Sequence, residues 1–205
     1  DFRLGQDRHV LRHAVDAAEV AAVRHRDAQI RHGAPERVDQ GGNWVSDRVS
    51  NLVVLPYISM HGSTEAMVNY LVEALAERGV KVQKFDLTST DIGKLAMALV
   101  DAATIVIGTP TVHVGPHPNV FSATNLANTL RPKLRYVAII GSYGWGTKAA
   151  EQLAGLIPNL KAEVLDTVLC KGFPDAEAFA ALDALADREG GAGGRGRRGG
   201  PGGRE

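Results

Sequence analysis

Six residues, Ser59-Met60-His61-Gly62-Ser63-Thr64, carry the first chemistry that can be read along the chain. They follow the apolar run Leu52-Val53-Val54-Leu55 and lead into a helix-like stretch opening at Glu65. Ser59, Ser63 and Thr64 offer hydroxyls around the amides of a helix N-terminus, and Gly62 permits close backbone approach. Such a loop suits an anion. It contains no Lys or Arg, and neither GxxxxGK[ST] nor GxGxxG is formed at this loop. A triphosphate is thereby disfavoured, and one monoester phosphate held by neutral donors is the better match. Taken alone, the pattern also reads as a plain helix cap.

Two further stretches have the composition of contact loops. Thr109-Pro110-Thr111-Val112-His113-Val114-Gly115-Pro116 is one, and Ser142-Tyr143-Gly144-Trp145-Gly146 is the other. The second sets Tyr and Trp among glycines, where core packing has little use for them. Rings on such backbone suit a flat ligand. The rival reading folds Trp145 back over the sheet edge. His113 and His117 are candidate edge or entry residues, with a solvated loop histidine as the simpler role for each.

The elements that must position these loops are legible between about 51 and 187. Strands are expected at about 52–58, 80–85, 104–108, 136–141 and 162–168. Helices are expected near 64–78, 91–101, 119–129, 147–157 and 175–187, the first with Met67, Leu71 and Leu75 on one face. Five strands alternating with five helices predict an α/β three-layer sandwich on a parallel sheet. Right-handed crossovers and a domain of this size favour the flavodoxin-like order 2-1-3-4-5. All three loops then emerge at the carboxyl edge of the sheet, where open α/β sheets bind ligands. Pro56 sits badly inside the first strand, which is expected to end at about Leu55 or to carry a bulge there.

Composition narrows the rest. The 205 residues hold 23 Lys and Arg against 23 Asp and Glu, and aromatics make up 5%, which argues against a nucleic-acid or membrane-surface protein. The one cysteine, Cys170, excludes an internal disulfide framework and a Cys-based metal cluster within one chain. No apolar stretch nears the ~20 residues that span a bilayer, and the start shows no basic-then-apolar signal pattern. A cytoplasmic protein is expected. Residues 1–50 read as a poorly anchored, weakly helical segment. Residues 188–205, with 9 Gly and 5 Arg, read as a disordered tail. His9 and His13 share a helix face at i, i+4 but have no carboxylates at fitting spacing, so no metal site is assigned.

SMHGSTEAM, GTPTVHVGPHPNV and GSYGWGTKAAEQL, in that order and spacing, resemble the flavodoxin-like domain of flavodiiron proteins (A-type flavoproteins) over about 52–187. The resemblance implies noncovalently bound FMN, with its phosphate on Ser59, His61, Gly62, Ser63 and Thr64. It sets the isoalloxazine between Pro110, Thr111, Val112, His113 and Gly115 on one side and Ser142, Tyr143, Gly144, Trp145 and Gly146 on the other. His61 stands where flavodoxin proper has a third hydroxyl. No catalytic acid or base is implied.

In those relatives a metallo-β-lactamase-like domain carries two irons, and its His-x-Glu-x-Asp-His pattern is missing from this sequence. The expected function is therefore an FMN-binding electron carrier, an oxidoreductase-type fragment and not a complete oxygen or nitric oxide reductase. Its expected partner is a redox protein, a separate diiron domain or a rubredoxin-like donor, and a homodimer is compatible with the resemblance. Both chain ends, rich in Arg, Gly and Ala, are expected to be unrelated sequence joined to the domain. Two alternatives remain: a flavodoxin-like NAD(P)H:quinone reductase, and a cofactor-free interaction module.

Overall fold

Runs of β-branched and aliphatic residues make the central strands, because both faces of each are covered. In a computed structural model, which describes residues 51–194, β1 spans Leu52–Tyr57, β3 Thr104–Val112 and β5 Tyr136–Tyr143. The expectations for residues 1–50 and 195–205 lie outside the described residues. Beside β1 runs β2, Lys81–Asp86, an edge strand whose exposed Lys81 and Lys84 discourage further pairing. The far edge holds β6, Glu163–Val164, and β7, Val168–Lys171, both parallel to β5. The path β2-β1-β3-β5-β6 is the expected order, with β5 as the fourth strand counted and the fifth split in two.

That split has a register cause. Val137 pairs with Val164 but Ile140 pairs with Val168, so the outer strand takes up one extra residue between the two ladders. Such an insertion behaves as a bulge at a sheet edge. A second departure is β4, Gly115–Pro116, which turns back antiparallel on β3 with Thr111 opposite Pro116. The sheet therefore has seven strands and one antiparallel pair, where five parallel strands were expected.

Pro56 stays inside β1, opposite Phe85 of β2, so the strand neither ends at Leu55 nor bulges. Leu52 O accepts from Ala103 and Ile58 N–H donates to Gly108, so even-numbered residues of β1 face β3. The missing proline donor falls on that side. Pairing to β3 lapses between Val54 and Tyr57 and resumes in the same register, from Val53–Thr104 to Tyr57–Gly108.

The helices are α1 (Ser63–Glu77), α2 (Ile92–Asp101), α3 (Pro118–Leu130), α4 (Ala149–Gly155) and α5 (Ala176–Gly194). On one face, Met67, Leu71 and Leu75 of α1 and Leu182 and Leu185 of α5 pack over Leu55, Val106 and Ile140. On the other, Leu95 and Leu99 of α2, Val120 of α3 and Leu153 of α4 cover Val54, Ile105 and Ile139. Each fully buried aliphatic side chain contributes about 1.5–3 kcal/mol. Gly79 ends α1 at φ 72°, with Gly79 N–H on Ala76 O and Val80 N–H on Leu75 O. This is a Schellman stop, and its left-handed residue is why glycine stands there.

The tail expected to be disordered from residue 188 does not begin there, because α5 continues through Gly194. Glu189 is buried beside Thr104, and a Cβ on Gly190 would lie 3.1 Å from Arg78 Cβ. Glycine at that point lets the helix approach α1, which outweighs its poor helix propensity.

Candidate functional site

The strand order reverses between β1 and β3, and a cavity of about 490 Å³ opens there at the carboxyl edge. That volume falls in the range of small-molecule sites. Ser59, His61, Ser63 and Thr64 line it from the first loop. Pro110, Thr111, Val112 and His113 contribute from the end of β3, and Ser142, Tyr143 and Gly144 from the end of β5. Three expected loops thus meet around one space. Gly62, Gly115, Trp145 and Gly146 do not line it.

The first loop is built around Ser59. Its Oγ accepts from Gly62 N–H at 3.1 Å and Glu65 N–H at 3.3 Å. Gly62 sits at φ 81°, and a Cβ there would meet no atom within 4 Å, so the backbone faces open space. The amides of Ser63 and Thr64 open α1 and have no carbonyl acceptor within the helix. Thr64 is 1% exposed, and its Oγ1 lies 3.2 Å from Ser142 Oγ. The neutral hydroxyls and first-turn amides fit one anionic group of modest charge.

The second loop is a hairpin and not a loose connector. His113 at φ 47° and Val114 at φ 70° form its tip. Two left-handed residues in a row suit the twist of a two-residue hairpin, but a β-branched residue there is an outlier that costs about 1–3 kcal/mol. The hairpin is held from the β5–α4 connection: Lys148 N–H donates to Val114 O at 2.6 Å, and Thr111 Oγ1 donates to Thr147 Oγ1 at 2.9 Å. His117 does not line the cavity. Its Nδ1 accepts from Asn119 N–H at 3.1 Å and caps α3.

The third loop leaves β5 beside β3 at a close approach. A Cβ on Gly141 would collide with Thr109 O, so only glycine fits. Trp145 is 99% exposed, which matches neither a ring over the cavity nor one folded back on the sheet edge. Three lining residues were not anticipated: Met60, Gly172 and Phe173. Met60 lay inside the quoted hexapeptide. Gly172 and Phe173 follow the fifth strand, and the rule that ligands sit beyond strand ends applies to that strand as well.

Two groups next to the site hold their protons more tightly than usual. Cys170 lies beneath Gly172, and burial, with Asp175 adding, pushes its thiol upward, so it offers no ready thiolate. Tyr57, at the end of β1, is raised by burial and then by Asp86 and Glu65, and keeps its phenol proton. Among the described residues no group of three or more His, Cys, Asp or Glu could hold a metal ion, and no helix is long and apolar enough to cross a membrane.

Comparison with known proteins bears on this arrangement. The family model described as Flavodoxin matches residues 55–183. A nitric oxide reductase of Moorella thermoacetica is 29% identical over 140 residues, covering 65% of this chain and 35% of its own length. A rubredoxin-oxygen oxidoreductase of Megalodesulfovibrio gigas is 26% identical over 144 residues, 70% of this chain and 36% of its own. This chain therefore spans about a third of the length of such curated relatives. Among solved structures, rubredoxin oxygen:oxidoreductase of Desulfovibrio gigas superposes with a TM-score of 0.66 at 26% identity, over 70% of this chain and 36% of that one. A flavodoxin from the domain Archaea superposes with a TM-score of 0.60 over 69% of this chain and 97% of its own, at 20% identity, which speaks to the fold alone.

Proposed function

The chain belongs to the flavodoxin family, and from that premise we propose that its α/β domain binds FMN and carries electrons to or from a partner protein. The observation that carries this reading is the meeting of three loops at one cavity, with the hydroxyls of Thr64 and Ser142 in contact. The phosphate is assigned to Ser59, Gly62, Ser63, Thr64 and His61. Thr64 contributes its first-turn amide, and its hydroxyl also braces Ser142. The ring is assigned to the space between Pro110–His113 and Ser142–Gly144. FMN supplies the redox chemistry itself when bound, and the protein supplies position and polarity.

The residues present fit that group. The phosphate end has neutral donors and no Lys or Arg, which suits one monoester. The ring end has apolar Val112 and aromatic Tyr143 among backbone amides and carbonyls.

A partner protein is proposed from the rim. Met60, Val114, Trp145 and Phe173 are large, apolar and exposed, and each follows a different strand of the carboxyl edge. An apolar collar around a cavity is the expected footprint of a partner surface. The relatives' names, nitric oxide reductase and rubredoxin-oxygen oxidoreductase, support a redox partner for this chain as well.

The carrier reading is tested by mixing the FMN-loaded chain with NADPH and a soluble quinone. Negligible turnover is expected. Rapid reduction by NADPH alone, followed by quinone turnover, would replace the carrier with a quinone reductase.

A further inference from the structure

We propose that Thr147, which does not line the cavity, is a positioning residue that sets the spacing of the two loops assigned to the flavin ring; this rests on the FMN reading above. Thr147 Oγ1 accepts from two directions. Thr111 Oγ1–H donates to it at 2.9 Å, and Ala149 N–H donates to it at 3.0 Å. The second bond, a turn of the Thr147 hydroxyl onto the first residue of α4, fixes the oxygen just before that helix, whose N-cap is Lys148. The first ties the end of β3 to that fixed point. One residue on, Lys148 N–H donates to Val114 O at 2.6 Å and holds the left-handed turn at His113 and Val114. Two consecutive residues of the β5–α4 connection therefore hold one limb and the tip of the hairpin that carries Thr111, Val112 and His113.

Two consequences follow for a ligand. The hairpin and the connection beginning at Gly144 stand at a spacing fixed before the ring arrives, so less ordering is left to oppose binding. The Thr111 hydroxyl proton is spent on Thr147, so Thr111 meets the cavity as an acceptor only. A ring edge presenting an N–H is favoured there over one presenting a carbonyl.

The test uses the full chain with Thr147→Val and Thr147→Ser, titrated with FMN and with riboflavin, which lacks the phosphate. Thr147→Val is expected to weaken both flavins by the same factor, about tenfold, and to alter the visible circular dichroism of the bound ring. Thr147→Ser keeps the oxygen and should restore both readouts. A purely structural role would lower the melting temperature of the flavin-free chain without moving the bound-ring spectrum. If Thr147→Val does not fold, Thr111→Val breaks the same bond and carries the same expectation. Unchanged affinity and spectrum in Thr147→Val overturns the clasp alone, as does a loss confined to FMN or a serine variant no better than valine. A wild-type chain that binds neither flavin overturns the FMN reading and removes the clasp's role with it.

Discussion

Thr64 Oγ1 and Ser142 Oγ lie 3.2 Å apart, although 78 residues separate them in sequence. The contact joins the first turn of α1 to the end of β5 across the intervening β3, so the two ends proposed for phosphate and ring share one brace. It also divides labour between neighbours. Both line the cavity, but Thr64 is buried and bonded in the brace, whereas Ser63 is half-exposed.

Thr64→Val should therefore destabilise the flavin-free chain by about 1 kcal/mol, the usual worth of a hydrogen bond, and weaken FMN as well. Ser63→Ala should change stability by less than about 0.5 kcal/mol, yet weaken FMN about fivefold to tenfold while sparing riboflavin. Urea midpoints and flavin-fluorescence titrations separate the two. The opposite pattern would place the phosphate elsewhere.

Trp145 gives a second prediction. Fully exposed without ligand, it has no packing to lose, so Trp145→Ala should leave the melting temperature of the flavin-free chain unchanged. If the indole closes on the ring, a stacking contact of about 0.5–1.5 kcal/mol predicts weaker binding of FMN and riboflavin alike, by about twofold to twelvefold. Titration of both flavins checks this, and equal affinity in the variant would leave Trp145 as rim only.

Gly141 is where the sheet itself constrains the site. A Cβ would enter the Thr109 carbonyl, an atom of the adjoining strand that cannot step aside. Gly141→Ala should cost about 2–3 kcal/mol by overpacking, read as a lower urea midpoint at unchanged slope. A neutral substitution would mean that β3 and β5 separate more easily than their register implies.

Those loops were legible because each carries small, hydroxyl or aromatic residues where core packing does not call for them, and because strand ends fix where loops gather. The antiparallel turn was not. A two-residue hairpin usually announces itself with Asn-Gly or a similar pair, and here His113-Val114 fills it, held by the β5–α4 connection through contacts that a linear reading does not contain. Pro56 misled in the opposite direction. Proline in a central strand normally argues for an end or bulge, but a parallel ladder loses one donor on one side only and keeps its register. The helix past residue 187 was hidden by composition. Gly190 reads as a breaker until Arg78 is seen against it. Phe173 carried no motif at all, and only its place after the fifth strand could have marked it.

Glu189 predicts a pH dependence. It is 4% exposed, its Oε2 accepts from Thr104 Oγ1 at 2.7 Å, and its Oε1 has no hydrogen-bond partner. Burial raises its carboxyl above the ordinary 4.5, opposed in part by the Thr104 bond and then by Arg188. A raised folded value means that the contribution to stability is fully present below pH 4.5 and is lost as pH climbs through the folded value. Wild type should therefore lose stability over that rise, and Glu189→Gln should flatten this part of the profile. Urea midpoints measured from pH 4 to 8 check it, and parallel profiles would show that Glu189 ionises without cost.

The most direct test of the account is the visible spectrum of the purified full chain after incubation with FMN and removal of free flavin, with the bound flavin quantified. The account predicts a flavin band at about one FMN per chain, released as FMN on denaturation. A chain that retains no flavin band after reconstitution would contradict it.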